Sequence, residues 1–289
     1  MKYYLLNILF ALSFGILIAS CSDLQNNIPV QPKLTVHKIG FSNPDSGSFH
    51  GTFIKNNNWD LISCQQCHAA DYSGGTAEFS CNSCHKAPGG PLACNTCHGD
   101  FNNPARIAPP RTINGDTATT VMGVGAHTSH LYTNTLSNNV ACESCHNVPQ
   151  SVFSPGHLDS NLPAEVVLKD LSTSNIASNA AFNSSSGTCS NTYCHGNFSF
   201  SKDSADAQDQ FAFTASSMIG NNVTVTWTKV NGLQAICGSC HDLPPKGHIG
   251  YQQFPISSCV SCHAGVVDEA GNIIDKTKHI NGKVNVRGE

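Results

Sequence analysis

The sequence predicts a mostly irregular fold, in which short helices and a few short strands surround bound groups. Three observations lead to this expectation. Only 12% of the 289 residues are charged, about half the share of an ordinary soluble domain. Turn-favouring Asn, Ser, Gly and Pro are abundant, and the chain holds 15 cysteines and 14 histidines. Such a chain buries too little apolar surface to offset its ordering entropy, so other material must supply the core.

The N-terminus has the features of an export signal. Lys2 precedes an apolar stretch from Leu5 to Ala19, and small residues lead to Cys21. This arrangement resembles the site at which bacterial lipoproteins are cleaved and lipidated. We therefore predict a signal peptide over residues 1–20, lipidation of Cys21 and an exported, membrane-tethered chain. The alternatives are a plain signal peptide or a retained helix, although a spanning helix needs about 20 apolar residues.

The charge balance bears on one class of partner. The chain carries 15 basic and 19 acidic side chains, which gives a net charge of −4. Nucleic-acid binding requires a basic patch, and no basic run occurs here. We therefore expect no nucleic-acid partner.

Fourteen cysteines fall into seven motifs that each end in Cys-His. Six have the spacing CxxCH, which attaches haem c: two thiols add to the two vinyl groups, and the adjacent imidazole binds the iron. One helical turn places all three residues on one face. The seventh motif, Cys189 to His195, has four residues between its cysteines, and we expect the two extra residues to bulge out as a loop. The predicted attachment residues are Cys64, Cys67, Cys81, Cys84, Cys94, Cys97, Cys142, Cys145, Cys189, Cys194, Cys237, Cys240, Cys259 and Cys262, and the predicted proximal ligands are His68, His85, His98, His146, His195, His241 and His263.

Other uses of cysteine fit this pattern less well. Zinc sites built from CxxC pairs do not need a histidine after each pair, and neither do disulfides. A redox CxxC occurs once in a βαβ setting, not seven times. Seven motifs use 14 cysteines and Cys21 would carry the lipid, so all 15 have a predicted role.

The remaining histidines match the number of haems. Seven irons with two axial positions each need 14 ligands, and the chain has 14 histidines. Methionine is the common alternative ligand, but only Met122 and Met218 follow the signal peptide. We therefore predict two histidines on each iron, which leaves no open position for a substrate. The predicted distal ligands are His37, His50, His127, His130, His157, His248 and His279, without assignment to particular haems.

The spacing of the motifs suggests two modules. We expect a tetrahaem module over residues 21–161 and a trihaem module with the stretched motif over residues 162–289. Within the second module, Val223–Thr228 alternates at period two and predicts a strand. Trp227 in this strand would pack on a haem face or serve as an ordinary hairpin residue. The polar tail from Asp275 is expected to be loose except around His279.

Several segments resemble the CxxxxCH/CxxCH multihaem cytochromes of metal-reducing and related bacteria. These segments are His50-Gly51, residues 64–75, 124–131 (VGAHTSHL), 154–157 (SPGH), 187–196 (GTCSNTYCHG) and 237–248. The resemblance implies a haem-cored cytochrome c fold and electron transfer at the outer membrane or cell surface, often toward extracellular acceptors. It also implies haem at the stretched motif.

An electron carrier with seven covalently attached haems c is therefore the leading expectation. Its partners would be other redox proteins or extracellular electron acceptors, or the other components of a porin–cytochrome conduit, with the membrane engaged through the lipid. Two alternatives stay open at this point. One is an oxyanion reductase, which needs an open iron position. The other is a homopolymeric filament, in which His37 or His279 would serve a haem of the next subunit.

Overall fold

The computed structural model describes residues 36–159 and 162–288. The predicted signal peptide and Cys21 lie outside the described residues. The chain divides into two units, residues 1–57 and 58–289. The predicted module boundary at residue 162 falls inside the second unit, and the division into tetrahaem and trihaem modules stays a prediction.

The described part of the first unit is organised around the ring of Phe41. Helix α1 spans His50–Asn56. The His50 backbone N–H donates to the Phe41 carbonyl oxygen over 2.7 Å, and His50 Nδ1 lies 3.0 Å from the same oxygen. The His37 ring stacks on Phe41 with centroids 4.0 Å apart, and Phe53 packs edge-on at 5.6 Å. Aromatic contacts therefore place both histidines of this unit.

The helices of the second unit are single turns. Helix α2 spans Gln65–His68 and helix α3 spans His127–Leu131. Twelve described 3₁₀ turns accompany them: Gly75–Ala77, Cys81–Ser83, Gly90–Leu92, Cys142–Ser144, Asp170–Thr173, Ala177–Asn179, Tyr193–His195, Lys202–Ser204, Gln210–Ala212, Leu233–Ala235, Ile256–Ser261 and Lys276–Lys278. Within the described ranges, no helix has the length and apolar character that crossing a bilayer requires.

Five short strands form two antiparallel sheets in the second unit. The strands are β1 Ala181–Asn183, β2 Thr188–Ser190, β3 Ser199–Ser201, β4 Ser217–Ile219 and β5 Val225–Thr226. One sheet has the order β1-β2-β5, and β3 pairs with β4 in the other. Strand β5 is shorter than the predicted Val223–Thr228, and Trp227 directly follows it. Cys189 of the stretched motif lies in the central strand of the three-stranded sheet, opposite Phe182 and Val225.

The polypeptide core is small. The buried hydrophobic side chains of the described residues are Leu61, Tyr72, Val124, Ala177, Tyr193, Phe213, Met218, Val225 and Val266. Many larger apolar side chains stay exposed, including Phe53, Phe79, Phe211 and Leu233. The expectation of a mostly irregular chain with short helices and few short strands is confirmed.

Candidate haem-binding sites

Four of the six regular motifs form single helical turns, as their spacing predicts, whereas the motifs ending at His98 and His241 lie in non-helical turns. The histidine N–H donates to the carbonyl oxygen of the first cysteine in the motifs ending at His68 (3.0 Å), His85 (3.0 Å), His146 (2.9 Å) and His263 (2.9 Å). This i to i+4 bond places both thiols and the imidazole within one turn. The arrangement suits attachment to one edge of a macrocycle.

The stretched motif is built differently, and the expectation of a bulged loop is wrong. Cys189 belongs to strand β2, and the chain then turns at Asn191, which has φ +54°. Thr192 and Tyr193 are buried, with 4% and 6% exposure, and Tyr193 begins the 3₁₀ turn that carries His195. The residues between the two cysteines therefore turn into the protein interior, because Asn adopts the left-handed conformation that reverses the chain with less steric strain than most residues.

Two hydrogen bonds fix the turn of the stretched motif. Asn197 Nδ2 donates to the Asn191 carbonyl oxygen over 2.8 Å, and Asn222 Nδ2 donates to Asn191 Oδ1 over 3.0 Å. The Tyr193 hydroxyl accepts from the Gly282 N–H over 3.0 Å. Neither Asn191 nor Tyr193 was predicted as a site residue. An Asn between two cysteines is a weak sequence indication of a left-handed turn.

Five motif histidines face a predicted distal histidine in the described second unit. The ring centroids are 6.5 Å apart for His98 and His157, 6.2 Å for His146 and His127, 6.2 Å for His195 and His130, 6.5 Å for His241 and His279, and 6.4 Å for His263 and His248. Two imidazoles bound to opposite sides of one metal, with bonds of about 2 Å, would hold their centroids about 6 Å apart. All five separations fit an iron held between two histidines.

The partner of each motif histidine is rarely the nearest candidate in sequence. His195 faces His130, and His241 faces His279. His98 faces His157, which lies beyond the next motif. These pairs connect distant segments, so sequence proximity could not have identified them.

Backbone carbonyl groups orient most of these imidazoles through Nδ1. The Nδ1–oxygen distances are 2.8 Å from His127 to Val124, 2.9 Å from His130 to Ala126, 2.8 Å from His146 to Glu165, 2.9 Å from His157 to Val152, 2.7 Å from His241 to Asp242, 2.6 Å from His248 to Ile249, 2.7 Å from His263 to Asn285 and 2.7 Å from His279 to Leu136. A proton on Nδ1 leaves the Nε2 lone pair for a metal. The sequence gives no sign of these acceptors, since any residue supplies a carbonyl.

His195 is an exception among the paired histidines. Its Nδ1 is buried and has no hydrogen-bond partner among the described residues. A buried donor without a partner costs free energy. The stretched motif therefore differs from the other four paired motifs in its ligand environment as well as in its backbone.

Burial keeps several of these imidazoles neutral. It lowers the pKa of both His127 and His195 to about 4. A neutral imidazole is the form that binds metal. Burial also raises the pKa of the Cys189 thiol to about 11 and that of Cys194 to about 12.

The other predicted ligands lie in aromatic or open surroundings. His37 and His50 belong to the first unit and contact Phe41. In the second unit, His68 Nδ1 lies 3.0 Å from the Phe79 carbonyl oxygen. His85 lines an open cleft of about 530 Å³, which is within the range of cofactor sites, about 300–1,000 Å³.

Exposed apolar side chains stand directly before several motifs. Ile62, Phe79, Ile236 and Ile256 precede the first cysteine of their motifs by one to three residues and are 57%, 54%, 56% and 38% exposed. An apolar macrocycle attached at the adjacent thiols would cover such surfaces. The described cysteines are all unbridged, which leaves their sulfurs available for thioether bonds.

The C-terminal segment 275–287, here called the C-terminal strap, is tied to several sites. It supplies His279 opposite His241 and the Asn285 carbonyl oxygen to His263 Nδ1. Its Gly282 bonds to Tyr193, and Arg287 forms a 2.6 Å ion pair with Asp209. The expectation of a loose tail is wrong, because these polar side chains and amides find partners within the second unit.

Comparison with known proteins supports the interpretation of one part of the chain. Residues 188–241 match a family described as the Geobacter CxxxxCH...CXXCH motif. The matched segment contains both the stretched motif and the motif from Cys237 to His241. No curated protein and no solved structure matches the chain. Covalently bound c-type haem and an electron-transfer role of the multihaem cytochrome type follow from this match at the level of the family.

Proposed function

We propose that the chain is an exported heptahaem cytochrome c that relays electrons at the outer membrane or cell surface. The observation that carries the proposal is the set of five histidine pairs, with centroids 6.2 to 6.5 Å apart. Five similar separations in a largely irregular chain call for one repeated bound group. Haem attached at the neighbouring Cys-His motifs has the required two-sided coordination.

The residues divide into three roles under this proposal. The fourteen motif cysteines would hold the macrocycles, and the fourteen histidines, with His37 and His50 among the distal ligands, would hold the irons. The haems supply one-electron redox chemistry. The polypeptide orients the imidazoles through backbone carbonyl groups and shields them from water, and both effects tune reduction potentials.

The pairs favour an electron carrier over an enzyme. An iron with two imidazoles has no free position for a substrate oxygen or nitrogen atom. In addition, His279 faces His241 of the same chain. This contact supports an intrachain role for His279, which does not require a neighbouring subunit.

The second part of the proposal concerns the location of the protein and its partners. Lipidation at Cys21 would tether the chain to the membrane. Its partners would be other redox proteins or extracellular acceptors, which it would meet within a porin–cytochrome conduit or as a membrane-bound monomer. A Cys21→Ala variant tests the tether. We expect it to leave the membrane fraction, whereas retention of the variant in washed membranes would contradict lipid anchoring.

Haem count and spin state test the central claim. The purified, matured protein should carry seven haems by intact mass and pyridine haemochrome, give low-spin spectra at low temperature and bind little carbon monoxide when reduced. A lower count, or strong carbon monoxide binding by the unaltered protein, would contradict the proposal and favour a reductase with an open iron.

A ligand variant sharpens the same test. His279→Ala should keep seven haems and convert one of them to a high-spin, carbon monoxide-binding form. Lys283→Ala, an exposed change in the same strap, is the control and should leave all haems low-spin. Unchanged low-spin spectra in His279→Ala would remove His279 from the ligand set.

A further inference from the structure

The indole of Trp227 lies against two imidazoles that face different motifs. Its ring centroid is 4.8 Å from that of His127, with the rings at 89°, and 5.6 Å from that of His130, with the rings at 32°. His127 faces His146 and His130 faces His195. One side chain therefore contacts the distal histidine candidates of two separate motifs.

Helix α3, which carries both histidines, is too short to be stable without contacts to the rest of the protein. It has five residues and no side-chain cap at its start. Isolated helices this short are unstable in water. His127 and His130 are three residues apart, so they share one face of the helix. Each Nδ1 bonds to a carbonyl of the same local segment, which makes the direction of both rings depend on the position of that segment.

Trp227 is itself fixed by hydrogen bonds to two separate segments of the chain. Its backbone N–H donates to the Gly187 carbonyl oxygen over 2.7 Å, and Nε1 donates to the Met122 carbonyl oxygen over 2.8 Å. Gly125 has φ +43°, and a Cβ atom there would overlap the indole ring. The glycine lets segment 122–131 approach the tryptophan closely, so the indole connects the β1–β2 hairpin to helix α3.

We propose that Trp227 is a positioning residue that fixes the orientation of His127 and His130 together, and thereby couples the ligand geometry of the haems at Cys142–His146 and Cys189–His195. This inference rests on the proposed function, because it assumes that both histidines bind iron. It goes beyond that function in assigning a role to a side chain that binds no haem through a bond of its own.

The proposal predicts a change confined to two sites. Removing the indole should let both imidazoles reorient, whereas the pairs at His98, His241 and His263 have no ring contact with Trp227 among the described residues and should keep their orientation. Electron paramagnetic resonance reports this directly, since the low-spin spectrum of ferric haem depends on the orientation of its axial imidazoles. Haem content should not change, because no attachment cysteine is altered.

The experiment compares Trp227→Ala and Trp227→Phe with the unaltered holoprotein. Trp59→Phe is the matched control, since Trp59 is the other tryptophan of the chain. We expect Trp227→Ala to keep seven haems and to shift or broaden the signals of two. Trp227→Phe, which keeps a ring but loses the bond to Met122, should shift the same two signals by less. The control should match the unaltered protein.

The outcomes separate this inference from the proposed function. Signals unchanged in Trp227→Ala, or changed at one haem only or at more than two, would overturn the inference. If Trp227→Ala does not accumulate, Trp227→Phe is judged by the same criterion, and unchanged signals there would also overturn it. Failure of the proposed function would already be seen in the unaltered protein, as missing haems or as high-spin iron.

Discussion

Residues 64–98 and residues 188–241 hold the same kind of motif in two different settings. The first region packs three regular motifs into a short stretch, in which Cys67, Cys84 and Cys94 are exposed and Tyr72 is the buried hydrophobic side chain. The second region contains strands β2 to β5 of the two small sheets and buries Tyr193, Phe213, Met218 and Val225. The difference indicates that haem must supply most of the interior in the first region, whereas the second has a small core of its own.

The largest expected effect is on the protein without haem. A chain produced without haem attachment should keep slow amide exchange in the sheets of residues 181–226 and lose it throughout residues 64–98. The reason is that apolar burial persists in the sheets but not around the exposed motifs. Hydrogen exchange with mass spectrometry measures both regions at once. Equal protection, or equal loss, would remove the distinction between the two regions.

Asn191 tests whether the stretched motif depends on its backbone turn. Asn191→Ala should lower the free energy of unfolding by about 1–2 kcal/mol, because Ala disfavours φ +54° and cannot accept from Asn222. Guanidinium unfolding followed by circular dichroism measures the change. The matched control is Asn82→Ala within a regular motif, where we expect a smaller loss. If Asn82→Ala lowers the free energy of unfolding as much as Asn191→Ala does, the turn at Asn191 has no special role.

Tyr193 and Tyr72 allow the two regions to be compared through one hydroxyl group each. Tyr193→Phe leaves the Gly282 N–H without its acceptor, and Tyr72→Phe removes a donor to the Leu61 carbonyl oxygen, 3.1 Å away. Each change should cost about 1 kcal/mol of unfolding free energy. Tyr193→Phe should also loosen the C-terminal strap. Faster exchange of strap amides in Tyr72→Phe, but not in Tyr193→Phe, would contradict the assignment.

The smallest expected effect concerns reduction potential. His146 Nδ1 bonds to Glu165, whereas His195 Nδ1 has no partner among the described residues. A hydrogen-bonded imidazole is the more basic ligand and stabilises ferric iron. The haem at the stretched motif should therefore have the higher potential of the two. Potentiometric titration measures both reduction potentials. The Cys189→Ser/Cys194→Ser double variant, which lacks the attachment cysteines of the stretched motif, identifies the signal of that haem. A lower potential at the stretched motif than at the His146 motif would contradict the prediction.

The sequence predicts the fold class and the motif turns because both depend on local chemistry. CxxCH spacing correctly predicts a helical turn in four of the six regular motifs, and a chain poor in buried apolar residues stays irregular. The histidine pairs could not be predicted, since His130 and His195 meet only after the chain has folded. The backbone acceptors are equally hidden, and so is the role of Asn191, whose left-handed turn carries the two extra residues inward. Trp227 was predicted within a strand but directly follows strand β5, and its two imidazole neighbours depend on tertiary structure.

The C-terminal strap has a consequence for biogenesis. Synthesis runs from the N-terminus, so His279 and Asn285 leave the ribosome after His241 and His263, the histidines that they face and bond to, respectively. Those two positions cannot be completed until the strap has been synthesised. A product that ends before residue 275 would leave His241 without its facing histidine and His263 Nδ1 without its acceptor, although His263 would still face His248.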